Sequence, residues 1–296
     1  VSLAMALIGV GCAPVLMASY YIFARQFPPA KFATLAALML GVGSVGNLVA
    51  SYPMAFAAET MGWRAALWGL AGVSGVVAAG IAALVRDPEA VTGDARGSVL
   101  DLLRMPALWA ILPLMFVAYA PSAALRGLWA GPYLRDVFGL DTGAVGQATL
   151  VMGVAMIAGT FTYGPLDRLV GSRKWVIFSG NLLAVLALAG LILWPDRSLV
   201  LSVALLAVVG LAGASFPVIV AHGRAFIPAH LAGRGVTLLN LFGVGGVGVA
   251  QFATGPLHAS VAAQGAVAGH TAIFGLFAGA LVLGLAIYLF SRDNMG

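Results

Sequence analysis

The sequence predicts an all-α polytopic membrane protein, and three observations carry that expectation. Hydrophobic residues make up 61% of the 296 and charged residues only 8%, whereas a soluble domain carries about 25% charged residues. The mean hydropathy is +1.03, so too few polar groups exist to cover a water-facing surface, and a soluble helix bundle is excluded. The 39 glycines fit membrane helices, where glycine is more frequent than in soluble ones. Finally, the apolar residues fall into nine segments of roughly the 20 residues that hydrocarbon demands.

Those segments are 3–24, 32–57, 65–85, 106–128, 143–163, 175–194, 199–221, 235–256 and 271–290. Charges, prolines and turn residues fill the breaks, as in Arg25-Gln26-Phe27-Pro28-Pro29 and Trp194-Pro195-Asp196-Arg197. The longest break carries Arg86, Asp87, Pro88, Glu89, Asp94, Arg96, Asp101 and Arg104 and reads as a linker between two bundles. The first segment is no signal peptide, because no Lys or Arg precedes Arg25. Cys12 is the only cysteine, which excludes an intrachain disulfide and a cysteine-based metal site.

Basic residues fix the orientation. Eleven of the fifteen lie in one set of alternate loops, around 25–31, 86–104, 168–174, 224–234 and at Arg292; four lie in the other set, at Arg64, Arg126, Arg135 and Arg197. The richer set is expected to be cytoplasmic, which puts the C-terminus inside and Val1 outside. The same distribution accounts for the net charge of +5 without nucleic acid, since no basic run is interleaved with aromatics.

An internal repeat explains the odd position of Val1. Gly41-Val42-Gly43-Ser44-Val45-Gly46 recurs as Gly243-Val244-Gly245-Gly246-Val247-Gly248, and Pro14-Val15-Leu16-Met17-Ala18 as Pro217-Val218-Ile219-Val220-Ala221. Spans one to three therefore read as a copy of spans seven to nine, and an offset of six spans implies two six-helix halves. On this reading residues 1–86 are the last three helices of an N-terminal bundle, 87–105 a cytoplasmic linker and 106–296 a complete six-helix C-terminal bundle. About three further spans are expected before Val1.

At these residues the chain resembles the major facilitator superfamily, over essentially its whole length. Its nine spans look like helices four to twelve of that family's twelve, with the first three absent. Gly164-Pro165-Leu166-Asp167-Arg168-Leu169-Val170-Gly171-Ser172-Arg173-Lys174 resembles the signature of the cytoplasmic loop between helices eight and nine. Gly164 stands one residue closer to Asp167, and Gly171 one further from Arg168, than in the usual pattern. Gly62-Trp63-Arg64 is similar to the triplet common before helix six. The resemblance implies a two-bundle secondary active transporter, a permease that moves a small solute by alternating access. It also implies that Gly164, Asp167, Arg168, Gly171, Arg173 and Lys174 form a cytoplasmic gating latch, with Asp167 approaching Phe32-Ala33-Thr34. The other reading of these cations is that they only set topology.

All ten acidic residues fall in loops or at span ends, so no mid-membrane carboxylate relay is expected here. Arg126 is the notable cation within a span, between Pro121 and Gly127, which favour an unwound helix. It either binds an anionic group of a substrate, organic or inorganic, or snorkels to the outer interface with Trp129 and Tyr133 as belt aromatics. Tyr119, Trp129, Asn47, Gln147 and Gln251 are further candidates for cavity lining, as are Asn181 and Asn240, although polar side chains in spans often only bond a neighbouring helix. The glycine strings read as close-packing surfaces. His222, His230, His258 and His270 read as solvated loop histidines without metal-ligand spacing. No cofactor, metal or catalytic residue is expected, and a membrane-embedded enzyme lacks the clustered His, Asp or Glu that it needs. The expected partners are a small-molecule solute with or without a coupling ion, and the lipid of a bacterial cytoplasmic (inner) membrane, around a monomeric chain. The alternative is a truncated, transport-inactive homologue or membrane sensor.

Overall fold

Hydrocarbon offers no partner for a free N–H or C=O, so a spanning segment must satisfy its backbone within itself. Accordingly every regular element is a helix among the residues that the computed structural model describes. These are 2–12, 52–85, 98–228 and 231–293, with positions 15, 18, 19, 22, 23, 35, 39, 42, 43, 45, 46 and 49. The helices are α1 (Ser2–Cys12), α2 (Tyr52–Met61), α3 (Trp63–Leu84) and the short α4 (Val99–Leu103). They are followed by α5 (Pro106–Phe138), α6 (Thr142–Val170), α7 (Arg173–Leu193), α8 (Leu199–Arg224), α9 (Ala232–Val261) and α10 (Ala266–Tyr288).

Seven of these are long and apolar enough to cross a membrane, namely α3 and α5 to α10. They correspond to seven of the nine expected spans. The first two, 3–24 and 32–57, lie partly outside the described residues, as does most of the linker.

Local chemistry sets the helix ends. The Ser98 hydroxyl and the Asp101 carboxylate form a reciprocal cap at the start of α4. Ser172 and Ser198 cap α7 and α8, accepting from the N–H groups of Trp175 and Leu201. Gly171 ends α6 with a φ of +72°, a conformation that costs glycine little. α5 and α8 are not straight. α8 tightens at Ala214-Ser215 before Pro217, with the N–H groups of Ala214 and Ser215 donating to Leu211 and Ala212. α5 carries Pro113 and Pro121 and then a π-turn at Leu125–Trp129.

Two sequence expectations about boundaries are corrected. α5 runs ten residues past 128, to Phe138, and no unwound segment follows Pro121: the π-turn keeps the chain helical there. The stretch Gly164–Val170, expected in a loop, is the last part of α6, with Pro165 inside the helix. In both places charged residues continue the helix, so the apolar stretch ends before the helix does.

The core lies among α5 to α10, in two clusters. One holds Leu108, Met115, Ile177, Ile219, Leu239 and Tyr288. The other holds Tyr133, Leu134, Met152, Leu188, Phe274 and Phe277. α9 packs closely on α5 because Gly246 has no side chain: a methyl there would collide with the Phe116 carbonyl oxygen. α2 lies on α6, where a methyl on Gly146 would stand 2.8 Å from the Ala55 side chain. Large apolar residues such as Trp68, Phe161 and Phe252 are exposed, as suits a surface bathed in lipid rather than water.

Candidate functional site

Tyr119 and Arg126 stand two turns apart on α5, which puts them on one face of the helix. Both line a cavity of about 450 Å³ together with Gly153, Met156 and Thr160 of α6, Phe216 of α8, Val244 of α9, and Met39 and Gly43. That volume is in the range of small-molecule sites. The Arg126 guanidinium lies against α6, where a methyl on Gly153 would come within 3.2 Å of a terminal nitrogen. The Tyr119 ring packs on Phe216, centroids 5.0 Å apart. The Arg126 side chain reaches into the space between α5 and α6. A single guanidinium beside a phenol and a threonine hydroxyl, among methionine, isoleucine and phenylalanine side chains, can hold one anionic group against an apolar body.

Not all candidates meet there. Gln147 is exposed and Gln251 is half-buried, and neither lines the cavity. Asn47 lies outside the described residues. Asn181 is buried and donates to the Ser215 hydroxyl and the Ile177 carbonyl, so it joins α7 to α8 rather than lining space.

Trp129 and Tyr133 are not belt aromatics. The Trp129 indole N–H donates to Thr254 of α9 at 2.9 Å. Tyr133 is 0% exposed; its hydroxyl donates to the Pro195 carbonyl and accepts from Ser202. Both pack against His258 or His270. The expectation of solvated histidines is likewise corrected for the described ones. His270 is 1% exposed and bonds Asp136 at 3.2 Å. His222 is fully buried; Nε2 donates to the Arg292 carbonyl at 2.9 Å and Nδ1 accepts from Tyr288 at 2.8 Å. Each closes against residues from a distant helix, a neighbourhood that spacing along the chain does not announce. His230 lies outside the described residues.

At the opposite end, the signature residues bind the last helix. Lys174 Nζ donates to the carbonyls of Leu289 and Ser291, both at 2.7 Å. The Asp293 carboxylate accepts from the Lys174 N–H at 3.1 Å and from the Ser172 hydroxyl. A cation on the last carbonyls of α10 and an anion at the first turn of α7 both oppose the helix dipoles favourably. Arg173 is half-buried beside them. The side chains of Asp167 and Arg168, and the partner segment 32–34, lie outside the described residues.

With this geometry in place, comparison with known families is decisive. The model described as Major Facilitator Superfamily matches residues 1–250. The chain belongs to the Major Facilitator Superfamily. It is therefore a multi-pass membrane protein of a transporter family. Comparison with curated proteins gives no match. The superfamily match takes in the cavity residues and the Gly164–Lys174 stretch, while His258, His270 and Asp293 lie beyond it.

Sequence reasoning missed Met156, Thr160 and Phe216 as cavity residues and the grouping of Asp136, His258 and His270. Met156 and Thr160 carry a usable signal, since with Gly153 they repeat at helical spacing on one face of α6. The histidine cluster carries none, because it is assembled from three helix ends.

Proposed function

We propose that this protein is a secondary active transporter of a small anion, organic or inorganic, in a bacterial cytoplasmic membrane, with its C-terminus inside. The observation that carries the reading is Arg126, a cation on a spanning helix that faces a cavity instead of the bilayer surface. Ionisable residues are retained in spans where they serve a pathway, and the otherwise apolar walls suit a solute with one charged end. Two bundles rocking about this cavity would expose Arg126 to each side in turn. The Gly164–Lys174 stretch supports a gate at the other end of α6, and the partners of a monomeric chain on this reading are lipid and the solute, with or without a coupling ion.

Flux tests the reading. The purified chain is reconstituted in liposomes and offered a panel of labelled mono- and dicarboxylates, phosphate and sulfate. Uptake of at least one is expected, with Arg126→Ala reducing it about 10- to 100-fold, the scale of a lost charge-assisted hydrogen bond. Uptake that Arg126→Ala leaves unchanged overturns the role of Arg126. Absence of flux for the whole panel overturns transport of an anion.

A further inference from the structure

A second polar cluster lies away from the cavity, where the far end of α5 meets the end of α9 and the start of α10. His270 Nε2 sits 3.2 Å from an Asp136 carboxylate oxygen. A carboxylate accepts, so Nε2 carries the hydrogen and Nδ1 is left as a bare lone pair. That Nδ1 is buried and has no hydrogen-bond partner, and the same is true of His258 Nε2. The two imidazole centroids are 4.9 Å apart with the rings tilted by 60°, so the two rings are immediate neighbours. Two orphaned ring nitrogens side by side are costly when neither finds a donor. An N–H on His258 Nε2 pointing at His270 Nδ1 satisfies both, and where His258 keeps its own hydrogen on Nδ1 that proton is an added one.

We propose that His258 and His270, oriented by Asp136, form a one-proton binding site. The proton comes from water and adds to one imidazole lone pair. It is then shared as an N–H···N bond between His270 Nδ1 and His258 Nε2, and no other bond forms or breaks. Two neighbours can interact with the resulting cation. Trp129 lies over His258 with centroids 4.9 Å apart and a 32° tilt, a geometry suited to a cation on a ring face. Asp136 offsets the charge from the other side.

The titratable groups facing the pair can be named helix by helix. From α5 come Asp136 and Tyr133, the latter's ring 5.4 Å from His270, while Arg135 on the same turn is exposed. From the loop between α7 and α8, Asp196 acts on Tyr133. The connection from Val261 to Ala266 has no ionisable residue. A metal ion is the poorer occupant. No group of three His, Cys, Asp or Glu with metal-binding geometry occurs among the described residues.

The site does not depend on the reading of Arg126, and its test needs no flux. The full chain is labelled with ¹⁵N at its imidazoles and placed in lipid nanodiscs. Its four histidines are then followed by NMR from about pH 8 to pH 5, the window of an ordinary imidazole. The expected result is uptake of one proton by the His258–His270 pair, with both rings shifting together. In Asp136→Asn the uptake should move to lower pH. In His258→Gln the joint shift should vanish and His270 should titrate alone. His222, bound elsewhere by Tyr288 and Arg292, reports that each variant remains folded. His270→Gln, with His258 as the remaining probe, serves if His258→Gln does not fold. Two independent protons on the pair, or neutral rings throughout the range, would overturn the proposal.

Discussion

α3 and α10 are similarly apolar and similar in length, yet they are packed very differently. α10 buries Phe274, Phe277, Leu281, Leu285 and Tyr288, whereas α3 buries only Ala66 among its residues. The glycine strings differ in the same sense. Gly243 and Gly246 press against Phe216 and the Phe116 carbonyl, while a methyl at Gly43 or Gly46 would have no described residue within 4 Å. Hydropathy thus identifies a helix that lipid will accept, but not whether another helix covers it. Between helices in lipid there is no hydrophobic drive to associate, so small residues and shape complementarity decide packing.

The contrast can be broken by substitution, and the largest effect should come at the glycines. Gly246→Val forces a branched side chain into a backbone carbonyl, so loss of monodisperse folded protein on size exclusion is expected. Gly46→Val should leave the profile unchanged. Equal damage at both would end the comparison. Next, Phe277→Ala should lower unfolding stability by about 3–5 kcal/mol, as core aromatic truncations do. Trp68→Ala, on a residue that is 78% exposed, should stay within about 0.5 kcal/mol. Both are measured by denaturant unfolding in detergent, and a large loss for Trp68→Ala would show that α3 is covered after all.

Smaller effects sharpen the picture inside the packed region. Tyr133→Phe keeps the ring but removes the hydroxyl shared by Pro195 and Ser202, leaving buried partners unmatched; about 1–2 kcal/mol is expected. Asp293→Asn weakens an exposed tie between α7 and α10 and should cost about 0.5 kcal/mol or less, diminishing further in high salt. A loss at Asp293 larger than that at Tyr133 would mean that the α7–α10 junction, not the buried hydroxyl, holds this bundle.

Much of the fold is legible in the sequence because the rules involved are local. Twenty-residue apolar runs mark the spans, whereas the helix end at Gly171 and the caps at Ser172 and Ser198 emerge only in the structure. The cavity is legible only in part. Arg126 stands out as a charge within an apolar run, but whether it faces lipid or cavity depends on helix rotation, which the π-turn alters without a periodic signal. Gln147 and Gln251 have the right polarity and stand on other faces. The burial of His222 and His270 depends on Arg292, Tyr288 and Asp136, each more than sixty residues away in the chain, so no local window contains it.

The π-turn at Leu125–Trp129 acts as a phase shift. Inserting one residue into a 3.6-residue repeat rotates all that follows by about 100°, and such turns gather at functional sites. Tyr119 and Arg126 keep the phase of the cavity, while Trp129 and Tyr133 take a new one that faces α9, α10 and the α7–α8 loop. Removing a single residue from this turn would leave composition and hydropathy almost untouched. It would nonetheless swing one half of α5 out of step with the other, so the helix carries its two assignments by being one residue too long.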